Sequence, residues 1–207
     1  MKNPLHYQIS EYDCGPTSML NAISFLFARE EIPPEVIRNI MLYCLDCYNN
    51  EGIPGKSGTS CAAMMFLTNW LNGFGRIGQL PISGKHLVGD QVFIGPDSLI
   101  NDALHRGGAV VVLLYLDEPH YILLTGERED SILAFDPYYC DTPFDSAPDI
   151  LLTEAHLTSY NRIIPFHYFN CEGNTIYALG PKDTREAVIP YNNATKLTAD
   201  KTIEYFI

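Results

Sequence analysis

Gln8-Ile9-Ser10-Glu11-Tyr12-Asp13-Cys14-Gly15-Pro16-Thr17 is the stretch on which the reading of this chain turns. Asp13 suits an N-cap and Pro16 the first helical turn. Met19, Ala22, Ile23 and Leu26 then recur at i, i+3, i+4 and i+7, the spacing of an amphipathic helix. The pattern predicts a helix over 14–29 with Cys14 at its start. There the unpaired backbone N–H groups and the positive end of the helix dipole favour thiolate over thiol, the condition for a nucleophilic cysteine. Gln8 ends an extended approach, from which its carboxamide N–H can join the Cys14 N–H in holding the oxyanion of a tetrahedral intermediate. A lone cysteine near a helix start is more often a small buried hydrophobe. The case for Cys14 therefore rests on what accompanies it. Glu11 and Asp13 would oppose thiolate formation if they faced the sulfur, and capping is the gentler role for Asp13.

A cysteine nucleophile needs a base to take its proton and later protonate the leaving group, and histidine is suited to this by a pKa near working pH. Of the six histidines, His120 stands out because it starts an apolar run, His-Tyr-Ile-Leu-Leu-Thr-Gly. Asp136 ends the next one in Ala-Phe-Asp-Pro-Tyr. If the turn at 127–130 joins the two runs as an antiparallel hairpin, His120 and Asp136 become cross-strand neighbours. The carboxylate can then accept the imidazole Nδ1–H, set its tautomer and stabilise the imidazolium. Separately, a His at a strand edge and an Asp before Pro are ordinary punctuation. His6 could sit near the cleft rim but suits the surface better, His105 lies at a helix end, and His86, His156 and His167 have no partner pattern.

Gln8-x5-Cys14 within Asp-Cys-Gly-Pro resembles the double-glycine-leader (bacteriocin-processing) peptidases, a branch of the papain-like cysteine peptidases. That family carries its His at the start of a hydrophobic strand and its Asp in an Asp-Pro pair after the next strand. The resemblance, covering about 5–169, implies Gln8 as oxyanion donor, Cys14 as nucleophile, His120 as base and Asp136 as orienting carboxylate. It also implies an α+β, papain-like fold, with N-terminal helices packed on a C-terminal antiparallel sheet. The implied activity is peptide-bond hydrolysis, with acyl transfer to an amine or non-catalytic peptide binding as alternatives. Many family members are fused to membrane and ATP-binding-cassette transporter segments, which this sequence lacks.

Composition bounds the rest. The 207 residues, 46% hydrophobic and 12% aromatic, predict one compact domain over 1–207, with 170–207 as a β-rich tail outside the resemblance. The formal charge of −12 repels phosphate backbones and anionic membranes, so a peptide or protein substrate is expected rather than nucleic acid. No apolar run approaches signal-peptide or membrane-span length, which predicts a cytoplasmic protein. The six cysteines are expected as thiols. Cys44-x-x-Cys47 falls on the apolar face of a predicted helix over 34–48, as packing rather than a metal or redox pair. Neither a metal nor a cofactor is expected, because no zinc-ligand spacing recurs. The glycine string Gly73-Phe74-Gly75-Arg76-Ile77-Gly78 has no strand before it and no helix after it.

The remaining segments are read from periodicity and punctuation. Gly58-Thr59-Ser60, which also resembles the peptidase family, caps a third helix running to 71 and stopped by Asn72-Gly73. A short strand is expected over 91–94, and a helix over 98–105 capped by Asp97. Strands follow over 109–116, 120–126 and 131–136, the first lacking alternation and so buried on both faces. A short helix over 153–160 and strands over 162–169, 175–179 and 202–207 complete the prediction.

Overall fold

A computed structural model of the chain describes residues 1–197; the strand expected over 202–207 lies outside them. The protein is α+β. Helix α1 spans Cys14–Leu26, α2 Pro34–Cys44 and α3 Cys61–Arg76. Strand β1 (Ile82–Val88) and α4 (Leu99–His105) precede the hairpins β2 (Val110–Leu116), β3 (Glu118–Arg128) and β4 (Ser131–Phe135). The short strands β5 (Leu151–Leu152) and β6 (Arg162–Pro165), helix α5 (Phe166–Phe169) and strand β7 (Glu186–Asn192) follow. The strands form one seven-stranded sheet in the order β1-β7-β2-β3-β4-β6-β5, with antiparallel neighbours throughout.

The period-2 direction of strand side chains divides the interior in two. Val111, Tyr121, Leu123, Phe135 and Val188 join Met19, Ile23, Val36, Ile40, Met64 and Leu67 in the cluster beneath α1 to α3. Val110, Val112, Leu114, Ile122 and Leu124 pack on the opposite face with Ile100, Leu104, Phe169 and Tyr177. The central strands are thus covered on both sides, which is why the run Val110–Leu114 carries no polar alternation.

Several boundaries differ from expectation for identifiable reasons. Helix α2 stops at Cys44, so Cys44 is buried while Cys47 lies beyond the helix and only half-buried. Helix α3 runs through Asn72-Gly73 to Arg76. Its glycines belong to packing: a Cβ on Gly75 would lie 1.9 Å from the Ile82 carbonyl oxygen, so α3 can approach β1 only without one. Ser60 caps α3, accepting from the Ala63 N–H at 3.1 Å. Ser98 rather than Asp97 caps α4 by accepting from the Ile100 N–H.

Other differences change an element's type. The strand expected over 91–94 does not form: Gln91 ends a 3-10 turn, Gly89–Gln91, and 92–94 are coil. The 153–160 segment is a series of turns, 166–169 is the helix α5, and 175–179 is turn and coil. Strand β3 begins at Glu118, because the β2–β3 reversal is confined to Asp117, held at φ 64. Of the stretch beyond 170, the described part is no appendage: β7 lies between β1 and β2, inside the sheet. Among the described residues no helix is long and apolar enough to cross a membrane.

Candidate active site

Cys14 is the first residue of α1, where a helix leaves its backbone N–H groups without intrahelical partners. The helix start is held from below and in front. Asp13 occupies the cap position but makes no side-chain cap bond. Its carboxylate turns back instead, accepting from the N–H groups of Ile9 at 3.0 Å and Ser10 at 2.7 Å and from the Ser10 hydroxyl at 2.7 Å. Burial works against its ionisation, but these donors hold its carboxyl below the usual range. Asp13 therefore fastens the 8–13 loop to the helix rather than capping it. Gly15 leaves room for Thr59, whose Oγ1 would stand 2.2 Å from a Cβ there.

The loop delivers Gln8 to the rim. The Gln8 backbone N–H donates to the Pro137 carbonyl at 2.9 Å. One hydrogen of its Nε2 goes to the Ser10 carbonyl at 2.8 Å, which leaves the second for a ligand, since a carboxamide carries two. Gln8, Cys14 and His120 line one cleft of about 560 Å³, together with Tyr138, Tyr139 and Phe144. Glu11, Asp117 and Glu118 make its rim acidic.

His120 is buried near the start of β3, paired with Leu114 across the β2 hairpin. Its Nε2 lies 2.8 Å from Asp136 Oδ1. The bond uses Nε2, not the Nδ1 expected from sequence, so Nδ1 is the ring nitrogen left for the cleft. The two residues are diagonal rather than directly opposite, since the β3–β4 register ends at Leu123↔Phe135. Burial opposes the imidazolium and is the largest single influence. The Asp136 carboxylate, by charge and hydrogen bond, and the Cys14 sulfur together outweigh it and raise His120 to about 10.

Asp136 sits behind His120 with no exposed surface. Burial would raise its pKa, but His120, the Tyr177 hydroxyl and Arg162 hold it below the ordinary range. Its oxygens are well supplied: Oδ1 also accepts from the Tyr138 N–H at 2.8 Å, and Oδ2 from the Tyr177 hydroxyl at 2.7 Å. Asn161 clamps the Asp136 backbone from both sides, accepting from its N–H and donating to its carbonyl at 2.8 Å each. The buried Arg162 ties the Asn161 carbonyl to those of Tyr138 and Cys140.

Asn161, Arg162 and Tyr177 were not singled out from sequence. A tyrosine in a turn carries no motif, although Tyr177, held at φ 56, marks a backbone whose strain the surrounding structure over-determines. Tyr177→Phe is expected to cost about 1–3 kcal/mol, because it leaves a buried carboxylate oxygen without its donor. Urea denaturation checks this. An unchanged midpoint would mean the hydroxyl adds nothing.

The other histidines lie elsewhere. His86 approaches Glu186, His105 approaches Glu127 and His167 approaches Asp149. Cys44 is a buried hydrophobe whose thiol is pushed far up, first by burial. Compared with known proteins, the chain matches no protein-family model and is significantly similar to no curated protein.

Proposed function

We propose that this protein is a papain-like cysteine peptidase, similar to the double-glycine-leader peptidases, with Cys14 as nucleophile, His120 as acid and base, Asp136 as positioning carboxylate and Gln8 as oxyanion donor. The observation that carries the reading is the 2.8 Å bond from His120 to a fully buried Asp136, in a cleft that Cys14 opens onto. A histidine raised to about 10 keeps its proton at neutral pH. The proposed reaction starts from a Cys14 thiolate beside this imidazolium, with Asp136 balancing the imidazolium charge.

In the acylation half, Cys14 Sγ attacks the scissile carbonyl carbon. The Cys14 N–H and the free hydrogen of Gln8 Nε2 receive the oxyanion. His120 gives its proton to the departing amine, the C–N bond breaks, and a thioester remains. Water then loses a proton to His120 and attacks the thioester. The C–S bond breaks, a carboxylic acid leaves and the ion pair is restored. Glu11, Asp117 and Glu118 at the rim favour peptides with basic residues near the cut.

The test is a peptide library incubated with the protein and read by mass spectrometry, with and without an added primary amine. The expected result is cleavage into acid and amine halves without any acceptor. Products that form only with the amine, and carry it, would instead make the protein an acyltransferase.

A further inference from the structure

A second constellation lies outside the cleft. Cys61 is the first residue of α3, His86 is on β1 and Glu186 begins β7. They are 25 and 100 residues apart in the chain, yet their ligand atoms all lie within 4.8 Å of one another. His86 Nε2 stands 3.9 Å from Cys61 Sγ and 3.3 Å from Glu186 Oε1. Four-coordinate zinc, with bonds of about 2.0–2.3 Å to nitrogen, oxygen and sulfur, sets its donors about 3.3–3.7 Å apart. The His86–Cys61 and His86–Glu186 separations are thus within a few tenths of an ångström of two edges of such a polyhedron, and the third pair lies within 4.8 Å.

From these distances we propose that Cys61, His86 and Glu186 bind a divalent cation of the zinc class, with the fourth position open to solvent beside the exposed Cys61. A thiolate and a carboxylate supply two negative charges and a neutral imidazole the third donor, a set matched to a borderline-soft divalent ion. Glu186 is 2% exposed, and a buried carboxylate calls for a counter-charge. The carboxylate is also oriented from behind. Tyr121, next to His120 on β3, donates its hydroxyl to Glu186 Oε2 at 3.2 Å, the kind of outer contact that fixes a ligand's direction. The ion would fasten the start of α3 to β1 and β7. This inference is independent of the chemistry proposed for Cys14.

The test uses the full chain carrying Cys14→Ala, so that no thiolate at the cleft contributes, stripped with chelator and titrated with cobalt(II). A thiolate-to-cobalt charge-transfer band that saturates at one ion per chain and is displaced by zinc is expected. Cys61→Ser should abolish the band, His86→Ala should weaken binding at least about tenfold, and Tyr121→Phe about 10- to 100-fold. Since a substitution could disturb folding, a second reading uses the unsubstituted chain: zinc should protect Cys61 from iodoacetamide. Absence of the band, its persistence in Cys61→Ser, or Cys61 alkylation at the same rate with and without zinc would overturn the proposal.

Discussion

Cys14→Ala is expected to eliminate the thioester intermediate and lower peptide turnover by at least about 10⁴-fold, since removal of the nucleophile from a unit of this kind removes nearly all its catalysis. The fold should survive. Cys14 lies at the surface end of the helical cluster, with 8% of its area exposed, so loss of one sulfur there should cost about 1 kcal/mol. Cys44→Ala offers the contrast. Cys44 has no exposed surface and packs in the same cluster, so it should lose stability and keep turnover. Quenched-flow mass spectrometry of the thioester, with urea denaturation of both variants, separates the two. Turnover that persists in Cys14→Ala would remove Cys14 from the reaction.

Asp136→Asn is expected to cost about 3 kcal/mol or more near pH 5–6, the range for breaking a buried ion pair from one side. The substitution keeps the shape of the carboxylate and deletes its charge. His120 would then keep only the smaller Cys14 contribution against burial and fall well below the value of about 10 at which it stands in the parent. The pH dependence follows from the two directions. His120 is raised on folding, so its contribution is complete below about pH 6.5 and is lost as pH rises through about 10. Asp136 is lowered, so its contribution is complete above about 3.8 and is lost as pH falls through its folded value. The parent should therefore draw the full benefit of the pair between about pH 4 and 6.5 and lose it progressively on the alkaline side. Asp136→Asn should flatten that slope. Denaturant midpoints from pH 4 to 10, with the His120 ring titrated by NMR, measure both effects. Parallel profiles for the two proteins would show that the pair carries no linked charge.

The parts of the fold legible in sequence were those fixed by local pattern. The α1 face through Met19, Ala22 and Ile23, the Ser60 cap and the hairpins of β2, β3 and β4 follow from spacing and turn residues. His120 and Asp136 could be brought together because they flank one hairpin, 16 residues apart. Strand β1 was not legible, since Ser83, Gly84, Lys85 and His86 interrupt its apolar residues. Strand β7 is covered on both faces, so its Ala-Val-Ile core lacks alternation, and it reaches β1 and β2 only through distant pairings.

The supports of the site were hidden for the same reason. Tyr177 meets Asp136 from 41 residues away and Asn161 from 25, and neither distance leaves a local signature. The Cys61, His86 and Glu186 group has no zinc-finger spacing, which is why the sequence alone gave no reason to expect a metal. Asp13 stands at the cap position as expected, but the loop before it, rather than the helix after it, supplies the donors for its carboxylate.

The central claim is that His120 and Cys14 form a working acid–base pair, and the pH dependence of iodoacetamide alkylation at Cys14 tests it most directly. The measurement is made by mass spectrometry on the parent and on His120→Ala, in chelator, with the exposed Cys171 as internal reference. The account predicts that Cys14 reacts faster than Cys171 below pH 7. In His120→Ala its rate should fall to that of Cys171. Equal rates at Cys14 and Cys171, unchanged by His120→Ala, would contradict it.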